Sequence, residues 1–100
     1  DQATDQEIMD AKAVIDRAGI GCEPASAATV AGIKHLIGRG IIAPGETVVG
    51  VLTGHLLKDP DATTGYHADA LGEKHIHATF PNAPIKCEPT LDAVRKAIET

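Results

Sequence analysis

Apolar residues recur at helical intervals near both ends of the chain. Ile8, Ala11, Ile15 and Ala18 follow i, i+3, i+7 and i+10, a single stripe of a helix. Thr4 stands before that stripe with Glu7 three residues on, a capping box that satisfies the first free N–H groups. The spacing predicts a helix over Thr4 to Ala18, stopped by Gly19. Pro24 pushes Glu23 into extended geometry, so Ile20 to Pro24 reads as a short connector. Ala27, Val30, Ile33 and Ile37 then predict a second helix from about Ala25 to Gly38, whose first turn is built of small residues. At the far end Thr90 caps a final helix with Leu91, Val94, Ala97 and Ile98 on one face.

Between these helices the pattern changes. Thr47 to Leu52 is β-branched and apolar on both alternate faces, which predicts a strand covered on both sides. Lys74 to Phe80 alternates as a second strand, and Ile85 to Cys87 reads as a short third. Lys58 to Asp61 reads as a turn, with a helical turn within Gly65 to Gly72. The expected class is therefore α/β, a partial parallel (or mixed) sheet flanked by helices, with ligands at the carboxyl ends of strands. No linker divides residues 1–100, which read as a single segment. One covered strand needs neighbours on both sides, and few are available here. A piece of a larger domain, or a chain completed by a partner or by other copies of itself, is expected. The triplet Cys22-Glu23-Pro24 returns as Cys87-Glu88-Pro89, but the flanks differ, so no duplication follows.

Composition narrows the function. Among 100 residues, 14 are acidic and 9 basic, a formal charge of −5, and the only aromatics are Tyr66 and Phe80. Neither the counterion release nor the stacking platform of a nucleic-acid binder is available. No apolar run approaches the ~20 residues that span a bilayer. The acidic stretch Asp1 to Asp10 is unlike a secretory signal. Two cysteines do not make a disulfide scaffold, and Cys22 and Cys87 read as buried or inert thiols. A soluble cytoplasmic chain is the expectation.

Several chemistries lack their motif. Gly19-x-Gly21 has Pro24 where a dinucleotide loop needs glycine, and no Gly-x-Ser-x-Gly elbow occurs. His75 and His77 would share one face of a strand and could bind zinc with His67 or Cys87. Without a His-Glu-x-x-His helix or a Cys-x-x-Cys pair, solvated histidines are the plainer reading, and no metal is expected. Two segments carry more. Thr53-Gly54-His55-Leu56-Leu57-Lys58-Asp59-Pro60 follows the covered segment directly, placing a hydroxyl and a glycine where a flat ring could approach. Glu23-Pro24-Ala25-Ser26-Ala27-Ala28 starts a helix with residues small enough for close approach. Read alone, Thr53 could be an ordinary turn residue and the Glu23 segment an ordinary helix start.

Together, these two segments resemble the C-terminal part of threonine synthases, members of the fold type II, tryptophan-synthase-β-like family of pyridoxal-phosphate enzymes. The resemblance covers about Thr4 to Gly65. The Thr-Gly-His-x-Leu-Lys-Asp-Pro element is its most specific part, and Glu-Pro-Ala-x-Ala is shared with dehydratases of the same fold. It implies a parent enzyme that converts O-phosphohomoserine and water to L-threonine and phosphate, with pyridoxal phosphate as electron sink. It implies that Thr53 bonds the pyridine nitrogen and that Glu23 and Ser26 line a wall beside the coenzyme. The Schiff-base lysine and the phosphate loop of that family have no counterpart here, and Lys12 and Lys58 lie in the wrong elements. No residue of this chain is thus expected to be catalytic, and the segment alone is expected to be inactive. A dehydratase segment of the same fold, or a free-standing interaction module, is the alternative.

Overall fold

The computed structural model describes residues 1–99. Four α-helices form: α1, Asp5–Arg17; α2, Pro24–Gly38; α3, Pro60–His67; and α4, Leu91–Ile98. Short 3-10 turns cover Leu56–Lys58 and Gly72–Lys74.

The first two helices follow the sequence closely. Thr4 Oγ1 accepts from the Glu7 N–H at 3.3 Å, and Glu7 returns its carboxylate to the Thr4 N–H at 2.8 Å. The chain leaves α1 through Gly19 at φ +80°, a conformation that costs a side-chain-bearing residue. α2 then runs back along α1. Its far end is tied to the start of α1 by His35 Nε2 and Glu7 Oε1 at 2.7 Å, and Arg39 reaches Asp1 at 3.1 Å.

α1 is buried on two sides, so it is the spine of the molecule. One side places Ile15 against Cys22 and Ala27, with Ile8, Val30 and Leu52 packed around them. The other places Met9 and Ala13 against Tyr66 of α3 and Ile76, flanked by Ala62, Leu71 and Ala78. Tyr66 ties this second cluster together with polar bonds. Its hydroxyl donates to Asp10 Oδ1 and accepts from the Thr79 and Phe80 N–H groups at 3.1 and 3.2 Å. Burial, reinforced by the bond to Asp10, pushes the phenol above its ordinary range, which keeps the proton that this donation needs.

The expected sheet does not form: among the described residues there is no strand. Residues 47–52 form no regular element, and Val49 and Val51 are 84% and 66% exposed. A strand exists only through the ladder it makes with a neighbour, and among the described residues no such ladder forms. Instead this stretch crosses α2 at Gly50, where an added Cβ would stand 3.1 Å from Thr29 Cγ2 and 3.3 Å from Ile33 Cδ1. The expected strand over Lys74 to Phe80 is broken at its start by a 3-10 turn and by His75 at φ 57°. Residues 85–87 form no strand either. In place of the expected turn at Lys58 to Asp61, Asp59 Oδ1 accepts from the Ala62 N–H at 3.1 Å and Pro60 opens α3. α4 forms as the pattern predicts, capped by Thr90, but Leu91 and Ile98 are exposed. The radius of gyration is 15.6 Å, against about 13 Å for a compact domain of this length.

Two outcomes test this packing. Hydrogen bonds from Thr4 and His35 hold the Glu7 carboxyl down to about 2. Its folded value lies below its ordinary one, so its stabilising contribution is complete above the ordinary carboxylate range and is lost as pH falls through about 2. The side-chain carbon resonance of Glu7 should therefore titrate near that value; a midpoint in the ordinary range would contradict the cap. Tyr66→Phe should cost about 2 kcal/mol in denaturant unfolding, because two backbone N–H groups lose their acceptor. An unchanged midpoint would mean that water replaces the phenol.

Candidate functional site

The two segments singled out by sequence meet at one point, the Ser26 hydroxyl. Pro24 at the first position of α2 fixes the direction of the helix, and Ser26, two residues on, is only 3% exposed. Its Oγ accepts from the backbone N–H groups of Thr53 and Gly54, both at 3.0 Å, and lies 3.2 Å from Thr53 Oγ1. A backbone–backbone bond also closes the junction, from the Glu23 N–H to the Gly54 carbonyl at 2.9 Å. Glu23, Ser26 and Thr53 thus lie in one cluster, with Thr53 at its exposed rim.

Glycine at position 54 is dictated by close approach. A Cβ there would overlap the Glu23 carboxyl group. That carboxylate is itself held by Lys58, whose Nζ lies 3.0 Å from Glu23 Oε2. The remaining motif residues shape the loop. His55 Nδ1 accepts from the Leu57 N–H at 3.1 Å, Leu56 packs beside Gly21, and Asp59 caps α3. The Glu23–Lys58 pair and the fit of Gly54 beneath Glu23 were not foreseen from sequence. Their only signal was that all three residues fall within the two segments.

The other candidates disperse. Among the described residues no three His, Cys, Asp or Glu side chains gather to hold a metal ion. His67 Nδ1 accepts from the Asn82 N–H at 3.1 Å, while His77 lies 3.8 Å from Asp69. Cys22 is wholly buried, and that burial pushes its thiol up, whereas Cys87 is exposed; both are free. Among the described residues no helix is long and apolar enough to cross a membrane.

In sequence, the chain is similar to one stretch of much longer synthases. They are threonine synthases. The protein of Methanosarcina acetivorans is 41% identical over 99 residues, covering 98% of this chain but 21% of that protein. Those of Methanocaldococcus jannaschii and Mycobacterium leprae are each 52% identical over 60 residues, 59% of this chain and 15% and 17% of theirs. The chain thus spans about a fifth or less of the length of these relatives. No protein-family model matches it.

Gly54→Ala should destabilise the fold by about 1–3 kcal/mol, because the methyl and the Glu23 carboxyl cannot share the space. Gly50→Ala should cost less, since its new methyl would stand 3.1 Å from Thr29 Cγ2 and 3.3 Å from Ile33 Cδ1, contacts relieved by shifts of a few tenths of an ångström, whereas at Gly54 the Glu23 carboxyl must leave its place beside Lys58. Denaturant midpoints of the two variants check the order; the reverse order would contradict the junction.

Proposed function

We propose that this chain is a segment of the catalytic domain of a threonine synthase, a cytoplasmic enzyme that converts O-phosphohomoserine and water to L-threonine and phosphate. The segment forms one edge of a pyridoxal-phosphate site. Thr53 meets the pyridine nitrogen, while Glu23 and Ser26 build the wall behind it. The observation carrying this reading is the Ser26 junction. It joins the two segments whose residues match such enzymes, and it leaves the Thr53 hydroxyl at the rim.

The donor set suits that edge of the coenzyme. A neutral hydroxyl can bond a ring nitrogen without the charge that a carboxylate would bring. The lysine that carries the coenzyme and the groups that hold its phosphate are assigned to polypeptide outside this segment. When bound, the coenzyme supplies the electron sink for the proton removals and loss of phosphate. Thr53 orients the ring, and the Glu23–Lys58 pair keeps the wall closed behind it. The isolated segment is inactive in this reading, and its exposed Val49, Val51, Leu91 and Ile98 are covered by the remaining polypeptide and by further copies in a homo-oligomer.

Thr53→Ala in the complete enzyme should lower turnover at least tenfold while the melting temperature stays within a few degrees of the parent. Parallel losses of rate and stability would instead make Thr53 a structural residue.

A further inference from the structure

A carboxylate covered from water needs a cation or several donors, because it loses its hydration. The Glu23 side chain is 12% exposed, and a Cβ on Gly54 would stand 2.1 Å from its carboxyl group. Among the described residues one cation answers that charge: Lys58 Nζ, 3.0 Å from Glu23 Oε2. The loop is folded to bring the pair together. The 3-10 turn Leu56–Lys58 is closed by the Lys58 N–H on the His55 carbonyl at 3.0 Å, and it returns the chain toward Glu23. Lys58 is itself 66% exposed, and an ion pair with so exposed a member adds little stability. Its effect is to fix where a negative charge lies.

We propose that Lys58 is a positioning residue that acts on ligand binding through Glu23. It holds the carboxylate down on Gly54 and cancels its charge beside the opening where Thr53 lies. The ligand served by this arrangement is an anion. The inference rests on the function proposed above, in which substrate and coenzyme both carry phosphate. Freed from Lys58, the carboxylate turns out of its covered place toward water. The opening then gains a negative charge that repels such a ligand. Lys58 need not touch the ligand, because the charge it governs belongs to Glu23.

The test uses the complete enzyme loaded with pyridoxal phosphate, with O-phosphohomoserine as the varied substrate. Lys58→Met should raise KM about three- to tenfold, and kcat should fall by less. The rise in KM should shrink at high salt, which screens the exposed charge. Lys58→Arg, which keeps a cation, should restore the parent KM. Removing the carboxylate as well, in Glu23→Gln/Lys58→Met, should recover most of the affinity lost in Lys58→Met. A double variant as impaired as Lys58→Met would mean that Lys58 binds the phosphate directly, and would overturn the inference. An unchanged KM in Lys58→Met would overturn it too. A crystal structure of Lys58→Met checks the positional step without substrate: the Glu23 carboxylate should have left Gly54, and one still seated there contradicts the proposal. The functional reading fails separately, through Thr53. Turnover in Thr53→Ala equal to the parent would remove that reading, while the Glu23 position in Lys58→Met would still decide what Lys58 holds.

Discussion

The start of α2 and the Thr53-Gly54 loop are held together through one buried oxygen, and the site depends on where that oxygen lies. Its position is set by a chain of constraints beginning in α1. Lys12, 1% exposed, pairs with Asp16 one turn further on. Asp16 also accepts from the Cys22 N–H at 3.2 Å, which fixes the connector between the two helices. Pro24 then sets the direction of α2, and Ser26 faces the Thr53-Gly54 backbone. A buried ion pair is a poor source of net stability, because desolvation offsets most of its attraction. Here its evident effect is geometric: the carboxylate is oriented by the ammonium so that its other oxygen receives the connector.

The helices were legible in the sequence because their signals are local. Thr4 with Glu7, Pro24 and Thr90 each act within a turn or two, and the structure uses each of them, whereas of the stripe Ile8, Ala11, Ile15 and Ala18 only Ile15 is buried, beside Met9, Lys12 and Ala13, which the stripe omitted. α3 was hidden for an instructive reason. Asp59-Pro60 was read as a turn, although an aspartate followed by proline is equally an N-cap followed by a first helical residue. The sheet was misread because a run such as Thr47 to Leu52 reports only that its side chains avoid water, not that a ladder partner exists. His75 and His77 lost their shared face when a 3-10 turn and a left-handed residue replaced the expected alternation. The two site segments were recognisable as residues, but their meeting at Ser26 was not, since it links positions 27 and 28 apart.

The unevenness of the molecule fits the coverage of its relatives. Around α1 the packing is close, with Tyr66, Lys12 and Cys22 fully buried. Residues 81–99 are exposed almost throughout, and Leu91, Val94 and Ile98 of α4 are exposed. A helix this amphipathic is stabilised chiefly by what covers its apolar face, because eight residues gain little from propensity alone. A segment making up about a fifth of a longer relative would be expected to show such a division. One part closes on itself, and the other is shaped for contacts made elsewhere.

The Glu23–Lys58 pair then explains why a carboxylate can stand so close to the proposed ring edge without dominating it. An unpaired Glu23 would place negative charge over Gly54, next to Thr53, and would favour a protonated, positively charged nitrogen nearby. Lys58 neutralises that charge from the same loop that supplies Thr53. The wall can thus use the bulk of a glutamate, with its backbone N–H bonded to Gly54, while the electrostatics at the rim are left to a neutral hydroxyl. One loop thus supplies both the Thr53 hydroxyl and the cation that offsets the Glu23 charge beside it.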